Sequence, residues 1–140
     1  KIIEKDFKEK NLRKILNFGH TFGHAYESSL GYSSKLNHGE AVILGISSAA
    51  KFSQDIKMLS KNEYTLILRH IQKINSKLRL KNYFEKNKIR KIVKFMSNDK
   101  KNSDEKINLI LIKKIGKFNI QKKYNLKKIE TFLSNYFNII

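Results

Sequence analysis

The chain has 140 residues, 30% charged and 40% hydrophobic, which suits one domain with a real core. It has no Cys, so disulfides and thiolate metal sites are excluded, and any metal must use His, carboxylate or water. The formal charge of +18 invites a nucleic-acid partner, yet Lys supplies all but four of the 30 basic residues and is spread along the chain instead of clustered beside aromatics. That argues against nucleic acid and toward compositional drift in an AT-rich genome, rich in Lys, Asn and Ile and free of Pro. The field would still steer a small anionic substrate. No apolar run reaches the length of about 18 residues that spans a membrane, and the start is unlike a signal peptide, as expected of a cytoplasmic protein.

Lys1 to Lys10 is charged and begins without Met, as expected of a segment continuing something upstream. Leu12 to about Leu30 reads as a central helix, with Gly31 placed to cap its C-terminus. After a short loop, Asn37 is the N-cap of the next helix and sets His38 in its first turn. Ala41–Ala50 carries no charge in a chain this charged, so it reads as a helix buried on all sides. Lys61 to Asn75 is amphipathic, with Tyr64, Ile67, Leu68, Ile71 and Ile74 on one face and His70 off that stripe, exposed and isolated. Leu78 to Phe84 is irregular, and Ile89 to Met96 is a short helix facing inward through Ile89, Ile92, Val93 and Met96. Asn98 to Glu105 is a polar loop. The alternation from Ile107 to Gln121 predicts a hairpin turning at Gly116, and Leu126 to Phe137 closes the chain as a helix burying Ile129, Phe132, Leu133 and Tyr136. The fold class is therefore mostly α with one small β-hairpin, and there are no internal repeats.

The chemistry concentrates between Arg13 and Glu40, which holds three of the four histidines and four of the six glycines. On a regular helix Arg13, Asn17, His20 and His24 fall within roughly 60° of one another. Leu12, Leu16, Gly19, Gly23 and Tyr26 flank them as a packed face. Gly19 and Gly23 each cost about 1 kcal/mol relative to Ala inside a helix, which close approach of a backbone or ligand would offset. Spacing alone nominates His20 and His24, four apart, as a chelating pair, although a lone HxxxH also arises by chance. Glu27, three residues beyond, could orient the His24 ring or be merely solvated.

The string RxxxNxGHxxGHA followed by HGEAV resembles the 3-dehydroquinate synthase family. The likeness extends to Glu9–Arg13 as an E-x-G-x-R element with Asn11 in place of Gly, to Asp99-Lys100-Lys101 as a DKK element, and to KINLILIKKIG. It covers the family's C-terminal half, a helical domain over residues 1–140, and leaves the NAD-binding N-terminal half outside this sequence. The resemblance implies that His20 and His38 bind zinc (or cobalt) with a third ligand from the other half. It implies that His24 and Glu9 transfer protons, and that Arg13, Asn17 and Lys100 (or Lys101) grip an anionic sugar phosphate. The interval from His20 to His38 is about one residue longer than in many members.

The implied reaction converts 3-deoxy-D-arabino-heptulosonate 7-phosphate to 3-dehydroquinate and phosphate, in the shikimate route to aromatic amino acids. NAD would take and return a hydride, zinc would polarise the hydroxyl being oxidised, and the enzyme would be a cytoplasmic homodimer. This chain alone is expected to be silent. The competing readings are a related sugar-phosphate cyclase or polyol dehydrogenase, and a basic nucleic-acid-binding module without activity.

Overall fold

The computed structural model describes residues 12–97, 106–120 and 122–137. Five α-helices are found there: α1 (His20–Ser29), α2 (His38–Asp55), α3 (Lys61–Ile74), α4 (Ile89–Met96) and α5 (Leu126–Tyr136). Short strands β1 (Lys106–Asn108), β2 (Leu111–Lys114), β3 (Lys117–Asn119) and β4 (Lys123–Asn125) lie between α4 and α5. β2 pairs with β3 and β1 with β4, both antiparallel, so one long ribbon folds back at Ile115–Gly116. The expected turn glycine is in place, with φ of 85° at Gly116, and the ribbon reaches further than a single small hairpin.

α2 is the centre. Ala41, Leu44, Gly45, Ser47, Ser48, Ala49, Ala50, Phe52 and Ser53 along it are all buried. Phe132 of α5 bridges the elements around it, its ring centroid 5.1 Å from Phe52 and 6.2 Å from Phe22 of α1. Small hydroxyls on α2 pair with groups from its neighbours: Ser48 Oγ lies 2.7 Å from Tyr26 Oη, and Ser47 Oγ 2.9 Å from Tyr136 Oη. Ser53 Oγ donates to Ala49 O and accepts from Ile112 N–H, stitching α2 to the ribbon. Buried polar groups paired in this way cost little, and they fix the register of what surrounds α2.

Two expectations are corrected. Leu12–Leu30 is not one helix: Leu12–Asn17 forms a 3₁₀ helix, and α1 starts afresh at His20. The break is at Gly19, whose φ of 83° lies in the left-handed region. A Cβ there would come within 2.5 Å of the Ile46 nitrogen, and one on Gly45 within 2.1 Å of the Gly19 carbonyl oxygen. Backbone touching backbone is what the glycines permit, and it bends the chain. Leu16, expected in a packed face, is accordingly exposed.

The second correction concerns Ala41–Ala50, expected to be buried on all sides. The apolar stripe of the neighbouring α3 is formed as expected, with Ile71 buried, while Leu66 and Ile74 are 55% and 59% exposed. With Ile43 and Ile46 of α2, Phe18, Ile115 and Phe118, these residues line an open apolar trough of about 400 Å³. α2 is therefore not closed on every side, since Ile43 and Ile46 are only half-buried.

Candidate metal and substrate site

Local signals position the histidines. α1 ends at Gly31, φ 64°, where the Gly31 N–H donates to Ser28 O and the Tyr32 N–H to Glu27 O, a double closure of the last turn. α2 opens with a reciprocal cap: Asn37 Oδ1 accepts from the Glu40 N–H at 2.9 Å, and Glu40 Oε2 accepts from the Asn37 N–H at 3.1 Å. His38 is thereby fixed at the first position of α2, as expected. Leu36, 3% exposed, pins the loop between the helices to the core.

α1 and α2 run antiparallel in close register. A Cβ on Gly19 would meet Ile46, and one on Gly23 would meet Ala41 and Val42. One further step of four residues along α1, and four back along α2, sets Glu27 beside His38. There Glu27 Oε2 lies 3.0 Å from His38 Nδ1. The Glu27 side chain is 11% exposed and the His38 side chain 61%. Glu27, which the sequence left open between orienting His24 and being solvated, is hydrogen-bonded instead to His38. Neither spacing nor composition marks this pair; only the helix–helix register does.

The three imidazoles converge. Ring centroids are 5.5 Å apart for His20–His24, 5.8 Å for His24–His38 and 6.0 Å for His20–His38. Imidazoles sharing one tetrahedral zinc have centroids about 5 Å apart, so small ring adjustments would let two of them meet at one ion. Among the described residues, no hydrogen-bond partner is found for the buried His20 Nδ1. Such an orphan costs about 1–3 kcal/mol, which a metal or ligand atom would relieve. Among the described residues, His24, Glu27 and His38 also offer ligand atoms that all lie within 4.8 Å of one another. Imidazole nitrogen with carboxylate oxygen suits zinc or cobalt, so the residues present fit such an ion.

Arg13, half-buried, and Asn17, exposed, lie on the 3₁₀ helix that leads into α1. The break at Gly19 separates their helix from the one that carries His20 and His24. Glu9, Lys100 and Lys101 lie outside the described residues. His70 is exposed on the rim of the trough. Among the described residues, no helix is long and apolar enough to cross a membrane.

Known proteins resemble this chain in sequence and in fold. A family model for the 3-dehydroquinate synthase C-terminal region matches residues 1–102. The 3-dehydroquinate synthase of Pelagibacter ubique is 48% identical over 95% of this chain, and that of Zymomonas mobilis 36% over 96%. In both cases the chain spans 36% of the relative's length. Among solved structures, 2-deoxy-scyllo-inosose synthase complexed with carbaglucose-6-phosphate, NAD+ and Co2+ superposes with a TM-score of 0.76 at 22% identity. That match covers 94% of this chain and 36% of that one, and at this identity it speaks for the fold. The signature on α1 and α2, the helical architecture and the relatives together place this chain in the 3-dehydroquinate synthase family, as its C-terminal region.

Proposed function

We propose that this chain is the metal- and substrate-binding part of a 3-dehydroquinate synthase, a cytoplasmic homodimer of the shikimate route whose NAD-binding part lies outside this sequence. The substrate is 3-deoxy-D-arabino-heptulosonate 7-phosphate and the products are 3-dehydroquinate and phosphate. The observation that carries the reading is the convergence of three imidazoles at the α1–α2 crossing, within 6.0 Å of one another.

His20 and His38 would hold zinc (or cobalt), with a third protein ligand contributed from beyond this chain. The ion would supply polarisation of the hydroxyl being oxidised, and NAD, bound beyond this chain, would supply reversible hydride removal. His24, exposed on the same helix, moves a proton at the reacting sugar, a task suited to imidazole. Glu9 assists proton transfer. Arg13 presents a planar fork to carboxylate or phosphate, Asn17 pairs with sugar hydroxyls, and Lys100 adds a further cation for the anionic substrate. The 4.8 Å grouping of His24, Glu27 and His38 supports a second arrangement, in which these three are the metal ligands.

Grafting this chain in place of the matching third of the Pelagibacter ubique enzyme tests both. The graft is expected to release phosphate and form dehydroquinate from the heptulosonate phosphate, but not to act on sedoheptulose phosphate or glycerol. His24→Ala should keep stoichiometric metal while turnover falls by about 10²–10⁴. His20→Ala or His38→Ala should lose metal on dialysis. Arg13→Ala and Asn17→Ala should raise KM more than they lower kcat. Metal lost from the His24 variant and kept by the His20 variant would select the second arrangement instead.

A further inference from the structure

Glu27 is a buried carboxylate on a helix whose adjacent buried positions are Phe22, Gly23, Ala25, Tyr26 and Ser29. A charge taken from water in this way is retained only where a partner repays the desolvation. The partner here is His38 Nδ1 at 3.0 Å. An ionised carboxylate can only accept, so the hydrogen of that bond belongs to Nδ1, and the neutral ring then carries its lone pair on Nε2. The backbone of His38 is locked by the Asn37–Glu40 cap, but its ring is exposed, and among the described residues Glu27 is the hydrogen-bond partner found for it. Metal-binding imidazoles characteristically donate their other N–H to a carboxylate, which sets both tautomer and ring orientation.

We propose that Glu27 is a positioning residue: its carboxylate accepts the Nδ1–H of His38, holds that ring in one tautomer and orientation, and so commits Nε2 to the metal. The last step rests on the metal reading above; the first two do not. The relation follows from the fold, because the glycine-lined crossing that sets Gly23 against Ala41 also sets Glu27 against His38.

Two readouts on the 140-residue chain separate the parts. At about pH 8.5, above the ordinary imidazole range, two-bond ¹H–¹⁵N correlations report the tautomer of His38 without any metal. The unaltered chain is expected to show Nδ1–H, a result that needs no variant to fold; Nε2–H there overturns the proposal. Glu27→Gln, whose amide oxygen can still accept, should keep the Nδ1–H form, and Glu27→Leu should lose it. The second readout is Co2+ affinity, measured by chelator competition with thermal unfolding as the control for folding. Glu27→Leu should weaken Co2+ binding about 10–100-fold, with Glu27→Gln recovering most of the loss. If Glu27→Gln loses as much affinity as His38→Ala, Glu27 is itself a ligand and the positioning role is wrong. If His38→Ala leaves Co2+ affinity unchanged, the metal reading fails, and the tautomer alone decides what Glu27 does.

Discussion

Tyr26 shows how one side chain couples the core to pH. It is fully buried and its hydroxyl lies 2.7 Å from Ser48 Oγ. Burial pushes its ionisation well above the ordinary tyrosine range, and the Ser48 hydroxyl offsets only part of that. Tyr136 is shifted the same way, by burial and then by the neighbouring Tyr64. Above about pH 10 the unfolded chain would release these protons while the folded chain keeps them, so the folded state loses stability as pH rises. Each such tyrosine contributes a slope of about 1.4 kcal/mol per pH unit. Contributions common to both chains cancel when two chains are compared, so the informative quantity is a difference between them. Tyr26→Phe is expected to lower stability near neutrality and to flatten its decline above pH 10. Denaturant unfolding of both chains across that range checks this, and parallel curves would mean that Tyr26 ionises in the fold. The buried Tyr–Ser pair was not readable from sequence, where Tyr26 was simply an apolar-face residue.

At the scale of elements, the α1–α2 pair is held at contact distance by glycine. Gly45→Ala places a methyl 2.1 Å from the Gly19 carbonyl oxygen, and relief requires the helices to separate. A loss on the order of 1–3 kcal/mol is expected, and more for Gly45→Leu. Gly31→Asn makes the contrast: φ is positive there, unlike at helical Gly45, but nothing lies within 4 Å, and Asn tolerates that conformation. It should cost well under half as much, and equal shifts in thermal midpoint would refute the account. What could be read from sequence divides along the same line. The Asn37–Glu40 cap, the Gly31 stop, the Gly116 turn and the buried face of α4 depend on neighbours a few residues away, so local chemistry announces them. The break at Gly19 depends on Gly45, 26 positions on, and the Glu27–His38 contact on helix register. Continuous helical periodicity from Leu12 to Leu30 hides the first, and nothing local encodes the second. The histidines, by contrast, converge despite the bend, because His20 and His24 both follow it on α1.

For the molecule as a whole, the share of its relatives' length that the chain spans matters most. The chain spans 36% of relatives such as the Pelagibacter ubique enzyme, so by the proposed division of labour it should form no dehydroquinate alone, with NAD, zinc and substrate supplied; phosphate release above background would refute that division. The trough lined by Leu66, Ile74, Ile115 and Phe118 has a different consequence, a colloidal one. A body of formal charge +18 bearing a greasy patch repels its copies at long range and attracts them at contact. In about 0.01 M salt the repulsion reaches about 30 Å, and in about 1 M only about 3 Å. Light scattering should therefore give a positive second virial coefficient at low salt that turns negative as salt rises. Leu66→Lys with Ile74→Lys should keep it from turning negative, since the patch is lost while charge is gained. A coefficient that stays positive for the unaltered chain at 1 M would mean the trough is too shallow to hold two copies together.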